Sequence, residues 1–334
     1  MTPAALRAWV RAHGLPAFRA DQILRWVYQR GVVSFDEMTD VGRPLRVALQ
    51  ADFTLPVLQP AEVARAADGT RKLLFGLEAG RAVESVIIPD PPRLTACISS
   101  QAGCAMGCEF CATARLGLQR NLSAAEIAGQ LVALRRVLDP GERLSNVVFM
   151  GMGEPLHNYD AVVEALEILT ADWGLGLSGR RITVSTVGLL PQLERLVRET
   201  AVSIAVSLTA TTDALRNRLM PINRRYPLAA LMATCRALPI AQRRRITFEY
   251  VLLEGVNDAP ADATRLVKLL HGIRAKVNLI PFNPFPDSGF APPAPAVAQE
   301  FQRRLLASGV NATIRATRGR DIQAACGQLA ATHQ

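Results

Sequence analysis

The strongest constraint on this chain is an alternation that begins near residue 93. Six short apolar runs follow one another: RLTACIS (93–99), NVVFMG (146–151), RITVSTV (181–187), VSIAVSL (202–208), ITFEYVLL (246–253) and KVNLIPF (276–282). Helical patterns separate them, at 123–138, 159–170, 189–199, 213–236 and 260–271. The first of these opens on Ser123-x-x-Glu126, a capping box that satisfies free amides at a helix start. Strands so evenly apolar must be covered on both faces, which means a parallel sheet between helices. A further strand, ATIRATR (312–318), and a short helix (321–330) end the chain. Six such units are too few for a closed eightfold ring. They predict an α/β fold, a partial (β/α)6 TIM-like barrel.

The preceding residues read differently. Residues 1–52 are helical, with ALRAWV and ADQILRWVYQRGV separated at Gly14-Leu15-Pro16, and form a small accessory domain. Residues 53–92 form a β-hairpin linker, in which RKLLFGL and RAVESVIIP flank Glu78-Ala79-Gly80 and Gly80 supplies the permissive backbone. Pro89, Pro91 and Pro92 mark the boundary, and residues 93–334 form the barrel with its C-terminal extension. The Pro-rich stretch 284–298 is expected to loop over the carboxyl edge of the sheet.

Composition narrows the setting. The chain is 49% hydrophobic, which excludes disorder as its main state, and six cysteines in 334 residues are too few for a secreted disulfide scaffold. No run approaches the roughly 18 apolar residues of a membrane span. The N-terminal MTPAALRAWVRAHGL lacks the apolar core of a signal peptide, so a cytoplasmic, reducing location is expected. The net charge of +9 hints at a polyanionic partner.

Polar signatures fall at the strand ends where parallel α/β folds bind ligands: Cys104 to Cys111, Gly153-Glu154, Ser185, Ser207 and Asn283. The most specific is Cys104-Ala-Met-Gly-Cys108-Glu-Phe-Cys111. Three thiolates this close can wrap a soft metal centre, and Gly107 lets the loop bend to present them. A four-iron cluster held by three thiolates keeps one iron open for a ligand. The array alone also admits a zinc site or three buried structural thiols.

This array is the signature of radical S-adenosylmethionine (SAM) enzymes. Together with VESVIIP, VVFMGMGEPLHNYD, RITVSTVGL, RLMPINRRYP, VNLIPFNPF and RGRDIQAACGQL, the chain resembles the adenosine carbon-2 RNA methyltransferases of the RlmN type over residues 80 to 330. The helical start suits that family's N-terminal domain, with a role in RNA binding. The resemblance implies a [4Fe–4S] cluster on Cys104, Cys108 and Cys111, with SAM bound by Gly153, Glu154, Ser185, Ser207, Leu208, Thr209 and Asn283. It further implies that Cys326 accepts a methyl group, and that Cys97 later resolves an RNA adduct through a transient disulfide with Cys326. Glu84 would be the proton acceptor. Carbon 2 of adenine is a poor nucleophile, so a methyl parked on sulfur and activated as a radical overcomes what polar transfer cannot.

Taken by themselves, Cys97 and Cys326 read as small buried residues, Glu84 as a solvated hairpin residue, and Ser185 and Ser207 as ordinary strand ends. Cys235 matches no motif and is expected to be structural. Thr209 stands where the family commonly has histidine, which removes an imidazole contact. The resemblance also implies 23S rRNA and tRNA as substrates, two SAM molecules per turnover, an electron donor such as flavodoxin, and a monomer. Arginines gather at 135–136, 224–225, 243–245 and 315–320, and Arg318 and Arg320 precede the Cys326 segment, where phosphate contacts would hold RNA. Two alternatives stay open: the related carbon-8 adenosine methyltransferases, and a non-catalytic iron–sulfur RNA-binding protein.

Overall fold

Apolar residues at helical spacing fold the start of the chain into the helices Pro3–Ala12, Phe18–Leu24 and Arg43–Asp52. The computed structural model describes residues 1–55 and 57–331. Thr2 caps the first helix by accepting from Ala5 N at 3.2 Å. Leu6, Val10, Ile23, Leu24 and Leu49 are buried along the inner faces.

Next come β1 (Pro60–Arg65), β2 (Arg71–Gly76), β3 (Ala82–Asp90) and β4 (Arg93–Cys97), paired antiparallel in that order. The turn between β2 and β3 is built as expected, with Gly80 at φ +69° and Ala79 also left-handed. Strand β1 is an addition to the expected hairpin; its half-buried, Pro-led PAEVAR carries no strong strand signal.

Two short strands follow, β5 (Gln101–Gly103) and β6 (Leu118–Asn121), which pair with each other apart from the main sheet. The barrel continues with β7 (Asn146–Phe149), β8 (Ile182–Thr186), β9 (Ser203–Ser207), β10 (Ile246–Leu252), β11 (Ala275–Pro281) and β12 (Asn311–Ile314). From β4 through β7 to β12 every pairing is parallel, and the ten-stranded sheet runs from β1 to β12 without closing. This is the open barrel the alternation predicts. Phe149, Val184, Val206, Phe248 and Leu279 are buried between the sheet and its helices. The capping box is present: Glu126 N donates to Ser123 Oγ at 3.2 Å, and Ser123 N donates back to the Glu126 carboxylate at 2.8 Å.

Three expectations change. The helix expected over 213–236 is two, Asp213–Leu219 and Leu228–Ala237, because Pro221 has no amide to continue the ladder. The expected helix over 321–330 is one short turn, Arg320–Ile322, since the backbone beyond it bonds to Asn283, Ala112, Thr113 and Glu84 instead. The Pro-rich loop ends early, because Pro295 opens an additional helix, Pro295–Ala307.

Candidate active site

The carboxyl ends of the parallel strands surround a cavity of about 210 Å³. Cys97, Cys104, Cys108, Cys111 and Cys326 all line it, with Gly153, Glu154, Ser185, Ser207, Thr209 and Asn283. Residues predicted from six separate stretches of sequence therefore meet around one space. Two expected residues lie off it: Leu208 is fully buried in the hydrophobic core, and Glu84 sits behind the wall.

The β5–β6 ribbon, which carries no sequence signal, fixes the cysteine loop. Cys104 N donates to Gly117 O at 2.9 Å. Gly103 stands at φ +70°, and a Cβ there would lie 1.8 Å from Gly117 O, so only glycine fits. Farther along, Glu109 N donates to Leu219 O at 3.0 Å, tying the loop to the helix after β9. Cys104 and Cys108 are buried and Cys111 is partly so. Burial pushes the Cys104 thiol up to about 12, and the Cys108 thiol well above its ordinary range. Thiols so poorly solvated ionise when a cationic centre binds them, so the donor set fits an iron–sulfur cluster. The described residues hold no group of three or more His, Cys, Asp or Glu set to share a single metal ion.

The second wall is Gly151-Met152-Gly153-Glu154. A Cβ on Gly151 would lie 2.7 Å from the Ile98 backbone, and one on Gly153 would lie 2.5 Å from Gln101 Cβ. Glu154 N donates to Gln101 Oε1 at 2.8 Å, while its carboxylate accepts from Leu156 N at 3.1 Å and Val187 N at 2.9 Å. Desolvation dominates over these bonds and pushes the Glu154 carboxyl up to about 7. Ser185 and Ser207 occupy the ends of β8 and β9. Thr209 is fully buried at φ +54°, and its Oγ1 has no hydrogen-bond partner among the described residues. An orphan hydroxyl on a cavity wall asks for a polar ligand atom, which fits a nucleoside such as SAM.

Arg216 belongs to none of the sequence motifs. Its guanidinium is completely buried and donates to Val187 O at 2.9 Å, Ser207 O at 3.1 Å, Leu208 O at 3.3 Å and Asn223 Oδ1 at 3.0 Å. It thereby ties the β8 and β9 ends together under Ser207 and Thr209. Desolvation lowers its pKa to about 10, which keeps it cationic at neutral pH. Its one sequence signal is its place in a helix starting just after the Ser207 turn.

The C-terminal segment closes the third side. Asn283 Nδ2 donates to Cys326 O at 3.0 Å, Ala112 N to Gly327 O at 2.8 Å, and Thr113 Oγ1 to Leu329 O at 2.6 Å. Asn283 thus has a positioning duty that its strand-end location does not reveal; its Oδ1 also accepts from Thr317 Oγ1 at 3.1 Å. Cys326 is open to the cavity, yet that space is narrow and its walls apolar enough to push the thiol up to about 12. Cys97, the last residue of β4, is raised to about 12 by burial first and by the neighbouring Cys326 second. All six cysteines are free thiols, and Cys235 is buried in the core as expected.

Glu84 is not solvated. It is 1% exposed, pairs with Lys72 Nζ at 2.9 Å through Oε1, and accepts from Ala330 N and Ala331 N at 2.9 Å each through Oε2. A buried network links its strand to the Gly151–Gly153 turn. Ser99 Oγ donates to Glu84 O at 2.6 Å and accepts from Met152 N at 2.8 Å, while Gln130 bonds both Ser85 and Ser99.

Known proteins resemble this chain in sequence and fold. Residues 98–267 match the Radical SAM superfamily, and residues 1–55 match the ribosomal RNA large subunit methyltransferase N-terminal domain. The dual-specificity RNA methyltransferase RlmN of Syntrophobacter fumaroxidans is 52% identical, over 98% of this chain and 96% of its own. That of Anaeromyxobacter dehalogenans is 52% identical, over 98% and 89%. The crystal structure of a radical SAM methyltransferase from Sphaerobacter thermophilus superposes with a TM-score of 0.94 at 46% identity, covering 99% of this chain and 98% of that one. Five thiols at one barrel mouth, a matching N-terminal domain and near full-length identity of this order together mean that the chain belongs to the RlmN family of radical SAM methyltransferases.

Proposed function

We propose that this protein methylates carbon 2 of adenosine in 23S rRNA and in tRNA by a radical mechanism, through a methyl group carried on Cys326. The observation that carries the reading is the convergence of five free thiols on one cavity: the three of the motif, Cys97 at the end of β4, and Cys326 on the docked C-terminal segment. An electron carrier or a plain RNA-binding protein has no use for the last two.

Cys104, Cys108 and Cys111 would hold a [4Fe–4S] cluster, and the orphan Thr209 hydroxyl, the Glu154 turn, Ser185 and Ser207 would surround SAM. When bound, these groups supply the electron, the methyl group and the 5′-deoxyadenosyl radical. The chain's own residues do the rest. Cys326 gives up its proton to become a methyl acceptor, and the apolar walls exclude water from the reactive carbon. Cys97 and Cys326 line the same cavity, so the Cys97 thiolate can attack the Cys326 sulfur of the adduct. The new S–S bond forms as the sulfur–methylene bond breaks, and the carbon takes that electron pair and a proton to leave as the methyl group of the released RNA. Glu84 acts as proton acceptor once the amides of Ala330 and Ala331 leave its Oε2, which couples proton removal to movement of the Cys326 segment. Donation of electrons by a flavodoxin-like protein, work in the reducing cytoplasm and action as a monomer belong to the same reading. RNA held near the mouth by Arg318 and Arg320 would place a flipped adenosine in the cavity.

Nucleoside mass spectrometry of rRNA and tRNA from cells with and without the gene tests this directly. 2-Methyladenosine that disappears with the gene is the expected result. 8-Methyladenosine in its place would assign the chain to the carbon-8 activity. No change in either nucleoside would leave the non-catalytic reading.

A further inference from the structure

At the opposite end of the barrel, the amino ends of the parallel strands enclose a second and much larger cavity, of about 1460 Å³. Ser203 of β9, Thr247 of β10 and Asn311 of β12 line its floor. Around it stand Arg180, Arg243, Arg244, Arg245, Arg274 and Lys276, and among the described residues no aspartate or glutamate lines it.

What matters is six cations gathered around one concavity whose lining supplies no carboxylate to face them, as carboxylates face Arg7, Arg71, Arg120, Arg195 and Arg304. None of the six cations at the amino end is in a salt bridge among the described residues. A purely structural role accounts for two of them. Arg244 donates to Val202 O at 3.3 Å and Arg274 donates to Ile240 O, each bracing a loop carbonyl. It leaves Arg180, Arg243 and Arg245 with no carboxylate partner among the described residues, around an open concavity to which Lys276, whose charge also acts on Glu249, adds a fourth cation. Keeping four such charges together raises their mutual repulsion, which a bound polyanion relieves.

We propose that this cavity is a second RNA-holding site that grips the phosphodiester backbone of the substrate at a distance from the target adenosine. The proposal rests on the RNA methyltransferase reading. Parallel strands of four to seven residues separate the two ends of the barrel by roughly 13–23 Å, at about 3.3 Å per residue. An RNA entering the catalytic mouth can therefore lay its flanking strand along the barrel wall to this face. Contacts of arginine and lysine with phosphate carry no sequence information, so the site suits a protein that acts on two different RNAs.

The test uses the full, cluster-loaded chain and two variants, R243A/R245A and R180A/K276A. Arg243 and Arg245 lie outside any helix or strand and neither is buried, so their loss spares the fold. Binding to a 23S rRNA fragment and to a tRNA is measured over a salt series, with methylation kinetics alongside. Abolishing one cation–phosphate interaction takes roughly 0.7–0.9 off the slope of log K against log salt, so each double variant is expected to lower it by about 1.5. KM for RNA should rise while kcat at saturating RNA holds. Wild-type slope and KM in both variants would overturn the proposal. So would unchanged RNA binding with slower reduction by an acidic flavodoxin, which would give this face to a protein partner. Failure of the wild-type protein to methylate either RNA would sink the functional reading instead, and the salt slopes would still report on this site.

Discussion

Lys72 and Glu84 form an ion pair at 2.9 Å with both side chains almost fully buried, on the neighbouring strands β2 and β3. The second carboxylate oxygen of Glu84 holds the amides of Ala330 and Ala331, so one side chain joins the hairpin to the segment that carries Cys326. Removing the ammonium leaves an uncompensated buried carboxylate. Lys72→Met should destabilise the protein by about 3–5 kcal/mol in denaturant unfolding. The double variant K72M/E84Q should recover much of that loss but leave the C-terminal segment more open to proteolysis. A Lys72→Met protein as stable as wild type would show that the pair carries no structural weight.

Glu154 gives the cluster-free protein a distinctive pH dependence. Its carboxyl ionises near 4.5 when unfolded, but burial raises this to about 7 in the folded chain. Between those values the folded state holds a proton that the unfolded state has released, so raising the pH favours unfolding. The stability from this group is complete below about pH 4.5 and declines by up to about 3 kcal/mol by pH 7, at about 1.4 kcal/mol per unit. Melting curves of wild type and Glu154→Gln over that range isolate the contribution. The difference between them should grow with pH and level off above 7; a constant difference would mean that Glu154 ionises normally.

The barrel is legible in the sequence because most of the parallel strands carry a short apolar run between helical patterns; all seven, from RLTACIS to ATIRATR, appear within a few residues of their expected ends. The motif cysteines are legible because three thiols at that spacing suit metal binding far better than a packed core. What escapes depends on contacts distant in sequence. The β5–β6 ribbon is made of short polar strands whose register comes from backbone bonds around Gly103 and Gly117. Arg216 acts through four oxygens on three other segments, and nothing in its neighbours' identities marks that. Residues 323–331 have helical composition, yet they run as turns and irregular chain because Asn283, Ala112, Thr113 and Glu84 take up their backbone groups. Glu84 taken alone reads as solvated because its pattern is that of a hairpin edge, and the residues that bury it lie at the other end of the chain.

Gly153 and Gly80 separate two meanings of a left-handed glycine. Gly80, at φ +69°, has no atom within 4 Å of the position a Cβ would take, whereas Gly153, at φ +96°, would bring one to 2.5 Å from Gln101 Cβ. Gly80→Ala should therefore cost only backbone strain, about 1 kcal/mol, while Gly153→Ala adds a clash and should cost clearly more. Because Gln101 also accepts from Glu154 N, Gly153→Ala should weaken SAM binding, measured by equilibrium dialysis, and Gly80→Ala should not. Equal effects of the two substitutions would refute the steric account of the turn.

Cys326 and Cys108 line the same cavity, but the chemistry expected of them differs. Cys108 lies in the tightly wound loop between Cys104 and Cys111, whereas Cys326 is delivered from the far end of the chain by its backbone carbonyl on Asn283. Cys326→Ala keeps that carbonyl and deletes only the sulfur. The variant should retain the visible absorbance of the reconstituted cluster and lose RNA methylation entirely, because no other thiol occupies the methyl-accepting position. Cys108→Ala should lose both. Loss of cluster absorbance in Cys326→Ala would make Cys326 an iron ligand and overturn the division of labour between the two thiols. Residual methylation in that variant would instead remove the methyl-carrying cysteine from the reaction.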